Sequence, residues 1–587
     1  MKKRLICLTA LLLVLAFCLQ GCGLLTAMIA GVLEEFPNSG YTRPDYSGGA
    51  VDYTDYERPY SPILEPVKFT DMPYERPDTD ALCADLTAVG EAAATQSSDE
   101  VFELYSPAYD AYVHFYTMSN LSYIRYTLDL NDSAYETEYL WCEEQTPLVE
   151  KALEDCYRAM AASPIRDALE SDYFGEDFFL AYDGDGIYSN PKVVELMQQE
   201  SNLQARYMAL TGDMTVEVNG EETLFSDALS EVTTYEEYYA VIDLYCEKYN
   251  PQACEIYIEL VKTRKALATE LGYETYADYA YENTYYRDYT PAQAEAYLAE
   301  VRASLVPLFD GNETYNLTGM DMDEVMQLLE GTMNTLGHEM QTAFGYMTAY
   351  ELYDATASSS KMPGSYETYL EEYESPFVYI SPVGDLSDLL TAAHEFGHFT
   401  DGFVNCNLTD SIDVAEVFSQ GLEYLTLDAA DISTFQRNTL RRNKMQDSLM
   451  TFLSQACYYD FECRVFAMDE SELTPENVNA LYYECNSAYG LTTPGFETYD
   501  SQGWFDIQHF FIAPYYMISY CLSNDLALQI YQLEQETAGA GVEKYCDMLY
   551  TSAGSTLLAF AEANELRSPF DDGRVAELAE FLEANLN

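Results

Sequence analysis

His394-Glu395-Phe396-Gly397-His398 is the stretch from which the rest of this chain is best read. On a helix, residues four apart share one face a turn from each other, so both imidazoles can reach a single ion. Glu395 then sits beside that ion without having to ligate it, which is where a general base must be. The chain has only five histidines, and two of them fall here. The pattern points to a zinc hydrolase centre. The competing reading is a pair of packed helix histidines with a solvated glutamate. Fragments of the pattern do arise elsewhere, for His338-Glu339-Met340 has no second histidine after it. The surrounding sequence has to decide.

The helix carrying the motif is expected to start near Asp385 and to bury Leu386, Leu389, Leu390 and Ala393. Gly397 is a poor helix former, so its place between the histidines suggests close backbone approach by a neighbour. Zinc needs a third protein ligand and one position left open for water. A downstream helix, Asp413-Val414-Ala415-Glu416-Val417-Phe418-Ser419-Gln420-Gly421-Leu422-Glu423, offers one. Val414, Phe418, Leu422 and Leu425 form its apolar stripe, and Asp413, Glu416, Gln420 and Glu423 form the opposite one. By itself that second stripe reads equally well as the solvated face of an acidic protein.

With 587 residues the chain can bury a large core, as one big domain or two lobes. A hydrophobic content of 48%, with 54 Tyr and 27 Phe, is that of a globular protein. The charge is extreme: 28 Lys and Arg against 100 Asp and Glu give −72. Such a field repels phosphate backbones, which argues against nucleic acid as a partner and against electrostatic docking on anionic lipid. It would attract cationic peptides or metal ions, although simple solubility also accounts for it.

Lys2, Lys3 and Arg4 precede an apolar run over residues 5–19, shaped like a signal peptide and short for a membrane span. Leu19-Gln20-Gly21-Cys22 closes it and resembles a bacterial lipobox, which implies cleavage before Cys22 and lipid attachment there. An ordinary cleaved signal or an uncleaved anchor are the other readings. Residues 34–65 are rich in Pro, Gly, Tyr and Asp without helical period, as in a tether. The expected organisation is a signal peptide at 1–21, a lipid-anchored tether at 22–65, an N-terminal helical lobe at 66–200 and a catalytic region at 201–587. The protein would then lie outside the cytoplasmic membrane, touching it through the lipid anchor alone. The fourteen cysteines show no CxxC spacing, so neither a zinc ribbon nor a disulfide framework is indicated.

Helical patterns dominate beyond the tether, at 82–94, 138–162, 191–211, 235–249, 251–271, 291–309, 323–343, 435–468, 514–536 and 574–586. Strands are few. Residues 214–218 and 223–225 flank Asn219-Gly220, a strong hairpin signal, and 377–380 is a brief β-prone run ahead of the histidine helix. The fold class is mainly α with a small sheet.

These segments together resemble the thimet oligopeptidase and oligoendopeptidase F family of zinc metallopeptidases. That family pairs an HExGH helix with a later D-x-x-E-x-x-S-Q-x-x-E helix, matched by Asp413, Glu416, Ser419, Gln420 and Glu423. The resemblance implies one zinc per chain, held by His394, His398 and Glu416. Asp413 and Glu423 would orient the ligands from outside. The segment between His398 and Glu416 is several residues shorter than the family leads one to expect. Further on, Trp504 to Tyr520 resembles the family's H-x-F-x-x-P-[FY]-Y-x-I-x-Y segment. It makes His509, Tyr516 and Tyr520 candidate donors to the oxygen on which charge develops. Lys361-Met362-Pro363-Gly364 followed by Phe377, Val378, Tyr379 and Ile380 resembles the segment leading to an edge strand. Such a strand would pair with an extended peptide substrate. Residues 264–281 resemble a further family segment, and the likeness runs from about residue 190 to the C-terminus.

The resemblance implies a large two-lobed helical fold around a deep central channel that admits unfolded oligopeptides, with Glu395 as base. Cleavage from the C-terminus, as a dipeptidyl-carboxypeptidase, is one alternative. A lipoprotein that binds peptides without cutting them is the other, although binding alone has no use for Glu395. The basic cluster Arg437, Arg441, Arg442 and Lys444 reads as a solvated face, with a substrate carboxylate as its other possible partner.

Overall fold

The computed structural model describes residues 66–586 with Tyr56, Arg58 and Pro59, apart from 176–177, 184–189, 212–213, 219, 312–314, 359 and 410. The signal peptide, Cys22 and nearly all of the tether lie outside the described residues, as does Asn219 of the hairpin.

Three antiparallel-packing helices open the fold: α1 (Thr79–Ala93), α2 (Ser98–Leu128) and α3 (Ser133–Ala161). Leu82, Leu86, Phe115, Val149 and Tyr157 meet in a core of their own. The sequence pattern misses α2, because its buried side is largely Tyr, Ser, Thr and Asn and Pro107 lies inside it. Its start is nonetheless well specified, by a Ser97–Glu100 capping box that satisfies two free backbone N–H groups.

Helix α4 (Pro191–Thr211) packs on the long α5 (Tyr235–Leu271), with the antiparallel hairpin β1 (Thr215–Val218) and β2 (Glu221–Leu224) between them in sequence. Helix α5 runs unbroken through Pro251, where two helices are expected from sequence. The side-chain amide of Asn250 donates there to the Gln502 carbonyl at 2.9 Å and to Asn479 at 3.0 Å, tying the turn to the C-terminal half. The expected helix at 323–343 is instead two, α6 (Met322–Leu336) and α7 (His338–Ala349). Gly337 separates them at φ 142°, a backbone setting that L side chains resist.

A three-stranded sheet then lies against the histidine helix. Its order is β3 (Tyr353–Asp354), β5 (Ser375–Ile380), β4 (Ser365–Leu370), with β3 parallel and β4 antiparallel to β5. This corrects the expected edge strand. Phe377, Val378, Tyr379 and Ile380 belong to the central strand, are buried throughout and have neighbours on both sides. An apolar run without alternation suits a strand covered on both faces. The edge strands are β3 and β4, and in β4, the longer of the two, polar and apolar residues mix.

The centre of the molecule is a pair of crossing helices, α8 (Asp388–Asn405) and α9 (Ile412–Ala429). Helices α10 (Thr434–Ala467), α11 (Ile518–Glu536) and α12 (Ala540–Met548) pack around them. Almost every residue of α8 is buried, polar ones included, so this helix is enclosed rather than amphipathic. All eleven described cysteines are free thiols. No helix among the described residues is long and apolar enough to cross a membrane.

Candidate active site

The crossing of α8 and α9 is set by Gly397. A Cβ at that position would lie 2.6 Å from both the Phe418 carbonyl oxygen and the Ser419 Cα, so only glycine lets the backbones come this close. Tyr545 of α12 fixes the same turn of α9, donating from its hydroxyl to the Phe418 carbonyl at 3.0 Å. The short connection between the helices turns sharply through Cys406 and Asn407, both left-handed at φ 60° and 59°. Asn405 braces it: its amide donates to Asp401, Thr409 and Ser552, and its oxygen accepts from the Leu408 N–H at 3.1 Å. The turn thus delivers Glu416 to the two histidines in spite of its brevity.

His394, His398 and Glu416 place one ligand atom each within 4.8 Å of one another. Glu416 Oε2 lies 3.6 Å from His394 Nε2 and 3.8 Å from His398 Nε2. Those separations are long for hydrogen bonds. They lie close to the roughly 3.4 Å that two ligands about 2.05 Å from one tetrahedral zinc would show. The donor set therefore fits the metal. Glu423, one turn along from Gln420, meets His394 Nδ1 at 2.9 Å and so leaves Nε2 to face Glu416. Ser419 donates to Glu416 Oε2 at 2.9 Å and fixes its rotamer.

Glu395 is buried at the same place, and burial pushes its carboxyl up to about 8, with His394 opposing and Glu416 and Glu423 adding to the shift. Asp413 sits elsewhere than expected. Its carboxylate faces away from the histidines to Arg287 Nε at 3.5 Å and accepts from the Tyr289 hydroxyl at 3.1 Å. Arg287 is itself packed over the rings of Tyr281, Tyr285 and Tyr289. Asp413 therefore anchors the start of α9 rather than orienting a ligand directly.

The downstream segment arrives on a short helix, His509–Ile512. Arg264 of α5 holds it by donating to the Phe510 carbonyl at 3.0 Å and to that of Phe511. Tyr285 donates to the Pro514 carbonyl at 2.8 Å, and Glu462 accepts from the Tyr515 N–H at 3.0 Å. Tyr515 takes φ 68° to make the turn. The rings of His509 and Tyr516 then stand 4.9 Å apart. Both line a cavity of about 610 Å³ onto which His398 also opens, with walls from α2, α3, β4 and the α8–α9 turn. Burial drives the His509 imidazole down to about 3, so it is neutral and keeps one N–H to donate. Tyr520 lies 5.0 Å from Tyr516, ring to ring, and is not among the side chains lining the cavity.

Two family models match the chain in register with this architecture: the peptidase M3 N-terminal domain over residues 69–183 and peptidase family M3 over 335–570. Together they cover more than half of the 587 residues. The chain belongs to the peptidase M3 family. It is a metallopeptidase. The fold is similar to that of PZ peptidase A in a structure with an inhibitor, at 22% identity and a TM-score of 0.74, over 89% of this chain and 99% of that one. A protein assigned as oligoendopeptidase F gives 24% identity and a TM-score of 0.72, over 89% and 98% of the two chains. A Bacillus anthracis protein with the same assignment gives 22% and 0.70, over 89% and 98%. No curated protein matches the sequence.

In this M3 peptidase most of the basic cluster of α10 is engaged within the protein, and of its four residues Arg442 alone is exposed. Lys444 is buried and reaches Glu423 Oε2 at 2.7 Å, so that one carboxylate joins a lysine to His394. Lys444 and burial oppose each other at Glu423, and the net effect lowers its pKa and keeps it an acceptor. Arg437 caps the end of α9, donating to the Leu427 carbonyl at 3.2 Å and the Ala430 carbonyl at 2.7 Å. Arg441 pairs with Asp428, and Arg442 lies over the Tyr315 ring. Lys444 is thus a site residue that sequence reasoning missed. Its signal was available in principle, since Met445, Ser448 and Leu449 mark the buried side of α10 beside it.

Proposed function

We propose that this protein is a zinc-dependent oligoendopeptidase acting on short unfolded peptides outside the cytoplasmic membrane, with Glu395 as general base. The observation that carries the reading is the convergence of His394, His398 and Glu416 with Glu423 behind His394. Zinc held by those three side chains would polarise a water and the scissile carbonyl and bring the water's pKa towards about 7.

Glu395 takes the proton of the attacking water and passes it to the leaving nitrogen. Tyr516 and neutral His509, which share the cavity with His398, donate to the oxygen as charge grows on it. Neither donor has to reorganise, because Arg264, Tyr285 and Glu462 already hold the backbone that carries them. A cavity of about 610 Å³ takes a few residues of extended chain and no folded domain. Its edge strand for main-chain pairing is β4.

Endo-cleavage is favoured over a carboxypeptidase mode by charge. A carboxypeptidase has to hold a free C-terminal carboxylate, and no lysine or arginine is among the described side chains lining the cavity. Removing the metal with a chelator is expected to abolish cleavage of a mixed peptide pool, and zinc is expected to restore it. Mass spectrometry of the products should show internal cuts. Dipeptides or single residues released stepwise from C-termini would overturn the endo assignment, and chelator-resistant cleavage would overturn the metal.

The location rests on Leu19-Gln20-Gly21-Cys22 and the apolar run before it. Fatty-acid labelling of the protein in a bacterial host should be lost in Cys22→Ala. Label retained in that variant would rule out lipidation there.

A further inference from the structure

Five carboxylates reach the wall of the central cavity: Glu143, Glu200, Glu367, Glu371 and Asp401. Among the described contacts only Glu200 has a cationic partner, the Arg264 guanidinium at 2.7 Å. Glu367 projects from the edge strand β4, and its Oε1 is buried without a hydrogen-bond partner. Asp401 stands on α8 less than one turn beyond His398, 5% exposed, and its Oδ1 accepts from Asn405 at 2.6 Å and from Ser552 at 3.0 Å. A second kind of observation comes from Tyr369, two residues along β4. It is 5% exposed and lines the cavity, and its hydroxyl also lacks a partner.

A buried carboxylate oxygen and a phenol left unpaired are costly, and proteins satisfy such groups or place them where a ligand will. The remaining wall is rich in tyrosine rings from α2 and residues 276–286, whose faces favour cations.

We propose that Glu367, Asp401 and Glu371 form a subsite beside the scissile bond for a positively charged group of the peptide. That group is a lysine or arginine side chain or the N-terminal ammonium. The proposal rests on the peptidase reading above and specifies its substrate class. Placement beside the scissile bond follows from the shared cavity, which Glu367, Glu371 and Asp401 line together with His398, and from Asp401 standing three residues beyond His398 on α8. Burial, with these like-charged neighbours, raises Glu367 well above the carboxylate range, and burial holds Asp401 and Glu371 near about 7. An arriving cation compensates charge that the empty wall cannot hold. The net charge of −72 draws such peptides in from a distance.

The test uses the full chain carrying Glu395→Gln, so that binding is read without turnover. Fluorescently labelled peptides are compared in sets of four: one with lysine at a given position, its norleucine twin, and the N-acetylated form of each. At low salt the lysine or free-amine form is expected to bind at least tenfold more tightly than its neutral twin. The preference should shrink when Glu367→Gln is added and when ionic strength is raised. Loss of preference on replacing lysine assigns the side chain, and loss on acetylation assigns the ammonium. Equal affinity of all four peptides, at every position scanned, overturns the subsite. The wild-type protein is assayed in parallel for hydrolysis of the neutral peptides. Failure of that assay strikes the peptidase reading and leaves the binding comparison standing. Should Glu367→Gln fold poorly, Glu371→Gln and the salt dependence carry the same comparison.

Discussion

Replacing Glu395 by glutamine is expected to lower kcat by between about 10² and 10⁴ while leaving the metal bound. The substitution is isosteric, and Glu395 is not one of the three groups that converge on the metal position. His394 keeps its bond to Glu423, and Glu416 keeps its bond from Ser419, so the ligand set is not disturbed. What is lost is the group able to take a proton from water and return it to nitrogen. Burial raises the Glu395 carboxyl above a surface glutamate, and a zinc ion held by its neighbours would draw it back towards the ionised form that accepts the proton. An amide has no such basicity at any pH used. The check is hydrolysis of a quenched peptide together with elemental analysis of the same sample. Turnover like that of the wild type, at full metal content, would remove Glu395 from the mechanism. A loss of both activity and metal would instead make Glu395 part of the binding site.

The parts of this site that were legible in sequence are those written at helical spacing. His394 and His398 lie four apart, and Glu416 and Glu423 seven apart, so each pair returns to one helix face wherever the helix is placed. Gly397 was legible for a related reason, since a glycine between two functional positions of a helix asks for a close neighbour. Pairings across elements were not legible. Nothing local says that Lys444 will meet Glu423 or that Arg287 will take Asp413 away from the histidines. The exchange of roles between β4 and β5 is of the same kind. The apolar run at 375–380 signals a strand, but its rank within the sheet depends on Tyr353–Asp354 pairing on its far side. Helix α2 escaped because tyrosines and hydroxyls form the buried side that a hydrophobic period would have revealed. That same composition is what gives the cavity its aromatic wall.

The second large effect is expected from a single methyl group. In Gly397→Ala the new Cβ falls 2.6 Å from the Phe418 carbonyl oxygen and 2.6 Å from the Ser419 Cα. Both are backbone atoms, and neither can swing aside as a side-chain tip would. Tyr545 holds that carbonyl from the other side, so α9 has to move as a body. Overpacking of this kind costs about 1–3 kcal/mol. Movement of α9 also carries Glu416 and Glu423 away from His394 and His398, because all four ligating or orienting groups span this one crossing. The variant is therefore expected to lose metal affinity and melt at a lower temperature, with the two losses linked. Gly331→Ala is the matched control. It lies within α6, and an added Cβ there meets nothing within 4 Å. That exchange should raise stability by about 0.5–1 kcal/mol through helix propensity. Thermal unfolding and bound metal, measured on both variants, decide the point. If Gly397→Ala binds metal and melts as Gly331→Ala does, the crossing at Gly397 is not what brings the two halves of the site together.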